Sequence, residues 1–133
     1  MNKRTFTPGF TVIEIIVVAI TFSILAMLFA IQFNDLQAKN RDDKRKSSIN
    51  SMYYTLEEVY YKDNENYPTK LTKENMPSIP ETMLKDKNDI LVGEQNSEYR
   101  YEPTNCLDNK CKSYTIRVGL EKEDDFIKKS RNN

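Results

Sequence analysis

The chain has no histidine in its 133 residues. Histidine is the side chain that most readily exchanges protons near neutral pH, and it is the commonest metal ligand. Without it, and with only two cysteines, a four-ligand Cys/His zinc site is excluded and the usual general base is missing. No other grouping of nucleophile and base stands out. The expectation is therefore a protein that is not an enzyme, with no catalytic residue, no cofactor and no metal. Charge of one sign is lacking too: 20 basic side chains balance 20 acidic ones, so there is no basic footprint for nucleic acid. A chain of this length supports one small core and not two.

A more telling absence is local. Residues 10–33 contain no Gly, Pro, Lys or Arg, and their only charge is Glu14. From residue 15 to residue 33 the run is uncharged, roughly 28 Å of helix at about 1.5 Å per residue, close to the hydrocarbon thickness of a bilayer. It reads as a transmembrane helix. A secretory signal would place a small-residue cleavage site after a shorter apolar core. Here the small residue, Gly9, precedes the run. A cut after Gly9 would remove Lys3 and Arg4 and keep the helix, leaving 18 basic against 20 acidic side chains.

A carboxylate in hydrocarbon costs about 2.5 to 3.5 kcal/mol at a helix centre and less near an end. Glu14 therefore needs a partner. The amino group freed on Phe10 by such a cut is a cation without a side-chain arm. It can meet Glu14 of a neighbouring, staggered helix, so that a charge pair is buried and not two lone charges. The bland alternative places Glu14 at headgroup depth.

Lys3-Arg4, then Gly9 followed by Phe10-Thr11-Val12-Ile13-Glu14 and an apolar run, resembles the class III signal of type IV pilins and pseudopilins. The resemblance implies cleavage between Gly9 and Phe10 by a prepilin peptidase on the cytoplasmic side, and methylation of the new amino group of Phe10. It implies that Glu14, fifth after the cut, directs assembly. It brings an assembly ATPase and a membrane platform protein as partners, beside copies of the chain itself in a helical filament. The precursor would be a single-pass membrane protein, and the assembled form extracellular. Twitching and adhesion, DNA uptake and secretion all fall within the family. Many members carry Gly or Pro in the middle of this helix; this chain has neither.

Beyond residue 33 the helix need not stop. Ile49, Met52, Tyr53, Leu56, Val59 and Tyr60 fall on one helical face, and the first proline after the leader is Pro68. The block Arg41-Asp42-Asp43-Lys44-Arg45-Lys46 reads as a solvated helix surface with pairs such as Asp42 with Lys46, the alternative being contacts to other subunits or to headgroups. Its basic residues oppose a cytoplasmic leader under the positive-inside rule. The cleavage motif takes precedence here, because the block lies beyond the span and is interleaved with acids.

Tyr53-Tyr54, Tyr60-Tyr61 and Asp63-Asn64 through Tyr67-Pro68 also resemble the family. By residue chemistry, Asp63, Asn64 and Asn66 make a turn and Pro68 prevents the helix resuming; a calcium loop lacks EF-hand spacing. Residues 71–89 read as an irregular linker with a helical turn near 81–85. Strands are predicted at 90–92, 98–101 and 113–120, the last two alternating. The tail from 121 reads as charged and solvated, with Phe126 and Ile127 as anchors and disorder after about residue 128. With the head outside the cytoplasm, Cys106 and Cys111 read as an intrachain disulfide, a reduced pair being the alternative.

The expected fold is α+β and type IV pilin-like: a leader (1–9), a transmembrane or filament-core helix (10–33), its amphipathic continuation (34–62), and a small head (63–133) whose antiparallel sheet packs on the helix. The leading function is a structural subunit of an extracellular pilus-like filament for motility or adhesion. The alternatives are a pseudopilin of type II secretion or competence DNA uptake, and a single-span membrane-anchored binding protein.

Overall fold

The computed structural model describes residues 9–132. Lys3 and Arg4 of the expected leader lie outside the described residues. The chain is helical from Val12 to Asn64, as α1 (Val12–Thr55), a π-helical turn (Leu56–Tyr60) and α2 (Tyr61–Asn64). After these come a short strand β1 (Tyr67–Pro68), one helical turn α3 (Glu81–Leu84) and strands β2 (Tyr99–Leu107), β3 (Lys110–Val118) and β4 (Phe126–Lys129). The fold is α+β, a long N-terminal helix with a four-stranded antiparallel sheet. The chain forms two compact units, one ending at Gln37 and the other starting at Ala38.

The first unit carries the apolar part of α1. None of its apolar run is buried. The helix is long and apolar enough to cross a membrane. Its hydroxyls are satisfied internally: Thr21 and Ser23 donate to the carbonyls of Val17 and Ala19, both at 2.8 Å, so they present no free donor to hydrocarbon.

In the second unit, α1 buries Ala38, Asp42, Arg45, Ile49 and Met52, at alternating steps of four and three residues. The π turn then inserts an extra residue and rotates the helix face beyond it. Leu56 and Glu57 are buried while Val59 is exposed. The predicted face therefore holds at Ile49, Met52 and Leu56, is half-buried at Tyr53 and Tyr60, and fails at Val59. The helix stops at Glu65, whose φ of 55° ends it in the left-handed region. Asn64 donates to the Tyr60 carbonyl at 2.9 Å and Asn66 to the carbonyl of Asn64, so this segment acts as a helix stop.

Strand β3 is central. It pairs with β2 along one edge, and with β1 and β4 along the other. Tyr99, Tyr101, Tyr114, Ile116 and Val118 face the core, with Ile49, Met52, Leu56 and Tyr67. The segment expected to be an irregular linker contributes Leu71, Met76, Ile79 and Leu84 to that core, and its helical turn is α3.

Three strand expectations are corrected. Residues 90–92 form no strand; Leu91 makes an isolated bridge to Lys85. The Asp86 carboxylate accepts from the N–H groups of Asn88, Ile90 and Glu98 at 2.8, 3.1 and 3.0 Å, closing this stretch as a loop. Strand β2 runs past Pro103 to Leu107, which an edge strand tolerates, and β3 begins at Lys110 and ends at Val118. The tail is ordered: β4 pairs with residues 115–118 of β3, and the Ser130 N–H donates to the Tyr114 carbonyl at 3.1 Å. Alternation in the tail is too short to signal a strand; pairing with β3 creates it.

Candidate assembly site

The N-terminal site is simple. Gly9 has no neighbouring atom within 4 Å of the position a Cβ would take, and Phe10 is 78% exposed. At the start of α1, the Glu14 N–H donates to Thr11 Oγ1 and the Thr11 N–H donates to Glu14 Oε2, both at 3.4 Å. This reciprocal pair is a capping box. The positive end of the helix dipole also favours a carboxylate there. Glu14 thus has a local partner within its own chain, a role that the Thr-x-x-Glu spacing signals and that treating Glu14 as an unpaired charge leaves out.

A second cluster lies in the second unit, in the block whose charge pattern suggests a solvated surface. Asp42 is 1% exposed and Arg45 is 8% exposed. Asp42 accepts from the backbone N–H of Glu121 at 2.9 and 3.0 Å and of Lys122 at 2.9 Å. Arg45 donates to Asp42 and Glu121, both at 2.9 Å, and to Glu98 at 3.3 Å. Arg41 adds two bonds to Glu121, at 2.9 and 2.7 Å, and Lys46 reaches Glu123 at 2.6 Å. The expected Asp42–Lys46 pair is replaced by Asp42 with Arg45.

Burial opposes the charge on Asp42, but the N–H groups of Glu121 and Lys122 and the Arg45 guanidinium outweigh it and hold the carboxyl below its ordinary range. Glu121 is held down at about 2, chiefly by its hydrogen bonds from Arg41 and, against the cost of burial, from Arg45. The network ties the loop after β3 to the helix. Alternating signs within residues 41–46 give no hint of burial, because the partners lie some 80 residues away in sequence.

Glu57, placed inward by the π turn, is a third site that the sequence did not reveal. Its carboxylate accepts from the Tyr67 hydroxyl at 3.0 and 3.1 Å, from the Tyr114 hydroxyl at 2.8 Å and from the Arg131 N–H at 3.4 Å. Burial pushes the Tyr67 hydroxyl up to about 12. Burial, then the hydrogen bond to Glu57, pushes Tyr114 up as well. Both tyrosines therefore stay protonated and serve as donors.

Cys106 and Cys111 form a disulfide. They sit opposite one another at the end of the β2–β3 hairpin, in the second unit, whereas Gly9, Phe10 and Glu14 belong to the first. Among the described residues there is no group of three or more His, Cys, Asp or Glu arranged to hold a metal ion.

The long apolar N-terminal helix followed by a small antiparallel sheet is a pilin-like architecture. Comparison with protein-family models, curated proteins and solved structures gives no match to this chain.

Proposed function

We propose that this chain is a structural subunit of an extracellular type IV pilus-like filament, serving surface motility or adhesion. A membrane-held precursor is cut between Gly9 and Phe10 by a prepilin peptidase, Phe10 is methylated, and an assembly ATPase with a membrane platform protein adds the subunit to a growing helix of copies. The protein performs no catalysis in this role.

The observation that carries the proposal is the wholly exposed apolar helix, which begins just after the exposed residues Gly9 and Phe10 and holds a carboxylate in its first turn. In water that surface is untenable, being far larger than the apolar patches that soluble monomers expose. Lipid covers it in the precursor, and copies of the same helix cover it in the filament. On assembly Glu14 exchanges the Thr11 N–H for the Phe10 ammonium of a neighbour, a charged partner in place of a neutral one. Charge-assisted hydrogen bonds are about twice as strong as neutral ones, which makes the exchange downhill. The disulfide in the head suits an oxidising compartment outside the cytoplasm.

The small head, a single sheet with one helical turn, equally suits a pseudopilin of a secretion or DNA-uptake system. A single-span anchored binding protein would leave Gly9 without a role and Glu14 with its helix-capping role alone. The test is peptide sequencing of protein sheared from the cell surface, with electron microscopy of the same material. Fibres whose subunits begin at methylated Phe10 are expected. A protein that keeps Met1 and never leaves the membrane would overturn the proposal.

A further inference from the structure

We infer that the head carries both halves of a head-to-tail contact between copies, the Leu107 tip of one β2–β3 hairpin seating in a cleft of the next head formed by Leu91, Val92, Gly93 and Tyr101. The inference rests on the filament reading and adds to it a specific contact between heads.

The tip is rigid and carries one apolar side chain. Leu107 is 77% exposed, the most exposed large apolar side chain of the second unit. It is held between the Cys106–Cys111 disulfide and a two-residue turn, Asp108–Asn109, with φ values of 49° and 63°. That is the type I′ geometry that matches strand twist and fixes a hairpin end. A lone exposed leucine is ordinary on a protein surface; one fixed this firmly at a protruding turn loses little entropy on docking.

The described head has clefts of about 590, 460 and 320 Å³, the last lined by Leu107 itself. The first, beside Arg45 and Arg117, has a largely charged lining in which Arg45, Glu98, Arg117 and Glu121 already hold ion-pair partners. The cleft proposed here has about 460 Å³ and a mixed lining, apolar at Leu91, Val92 and Tyr101 and polar at Thr69, Gln95, Lys70 and Glu94. Gly93 keeps it open: its φ is 80°, and a Cβ there would meet Tyr101 Cβ at 3.3 Å. The volume lies in the range of sites that take several side-chain groups.

Charge supplies the match. Asp108 in the turn and Lys110 just after it carry one charge of each sign, as Lys70 and Glu94 do at the cleft. Among the described residues none of these four side chains has an ion-pair partner, a state they share with other surface charges such as Lys44, Arg100 and Lys112. Across two copies, Asp108 can pair with Lys70, and Lys110 with Glu94. A contact between two different patches repeats without closing on itself, which builds a helical array; one patch facing its own copy would stop at a dimer.

The test uses the full chain in cells that hold its assembly machinery. Leu107→Asp, Lys110→Glu and Glu94→Lys should each lower the yield of sheared filaments about tenfold, as loss of a central interface contact does. Precursor level and the Cys106–Cys111 disulfide should be unchanged. Combining Glu94→Lys with Lys110→Glu should restore the yield, and a photoreactive side chain at position 107 should cross-link to residues 91–95 of another copy. Wild-type yield from all three single variants, or cross-links only elsewhere, overturns the contact and leaves the filament reading intact. Absence of filaments from the wild-type chain overturns the filament reading itself.

Discussion

At the scale of single residues, the head depends on two buried carboxylates. Asp42 gathers two backbone donors and a guanidinium, so Asp42→Ala leaves the N–H groups of Glu121 and Lys122 without their acceptor, while Arg45 keeps Glu121 and Glu98. Each buried donor left unsatisfied costs about 1 to 3 kcal/mol, which thermal unfolding of the detergent-solubilised chain measures. The same contacts set an acid dependence. Asp42 and Glu121 both have folded pKa values below their ordinary ones, Glu121 at about 2 against 4.5. Their contribution is present above about pH 4.5 and is lost as pH falls toward about 2, because the unfolded chain then binds the protons first. The thermal midpoint should fall over that window, and less steeply in Asp42→Asn. Glu57 is the second such residue. Glu57→Ala removes the acceptor of two buried hydroxyls, each costing about 1 to 3 kcal/mol when left unsatisfied. In Tyr114→Phe, which removes one of those donors, the further cost of Glu57→Ala should be smaller than in the wild type.

At the scale of elements, the last strand matters more than its charged composition suggests. Strand β4 covers one edge of β3 over residues 115–118, and the Tyr114 N–H donates to Ser130 Oγ at 3.3 Å just beyond it. Truncation before Phe126 should lower the thermal midpoint by more than about 10 °C, given about 4 to 8 °C per kcal/mol for a domain of this size, and should leave β3 with an open edge prone to pairing between chains. A tail without structural role would show no change. The disulfide acts more locally. Replacing Cys106 and Cys111 by alanine should cost about 2 kcal/mol in the entropy model for so short a loop and fray the hairpin tip, leaving the core around Tyr114 and Ile116 intact. Hydrogen exchange along β2 and β3 separates those two effects.

At the scale of the whole molecule, Glu14 is the residue on which the proposed filament turns. It caps its own helix through Thr11, so Glu14→Ala costs about 1 kcal/mol of local helix stability at most, by analogy with other capping contacts. Membrane insertion and cleavage after Gly9 should therefore survive in that variant, because the apolar run is untouched, while filaments disappear. Immunoblotting of membranes and electron microscopy of sheared material read the two outcomes separately, and normal filaments from Glu14→Ala would remove the charge pair from the mechanism.

Local chemistry was readable directly from the chain. The apolar run, the helical spacing of Ile49, Met52 and Leu56, the helix stop before Pro68 and the alternation of Tyr114, Ile116 and Val118 each depend on residues within a few positions of one another. Long-range pairing was not readable. The burial of Asp42 and Arg45 and the inward turn of Glu57 depend on partners as far as 80 residues away, and β4 exists only through its pairing with β3. A charged residue's surroundings, and an edge strand's hydrogen bonds, arise only after the chain has closed on itself. Until then, Asp42 looks like any other solvated acid on a helix.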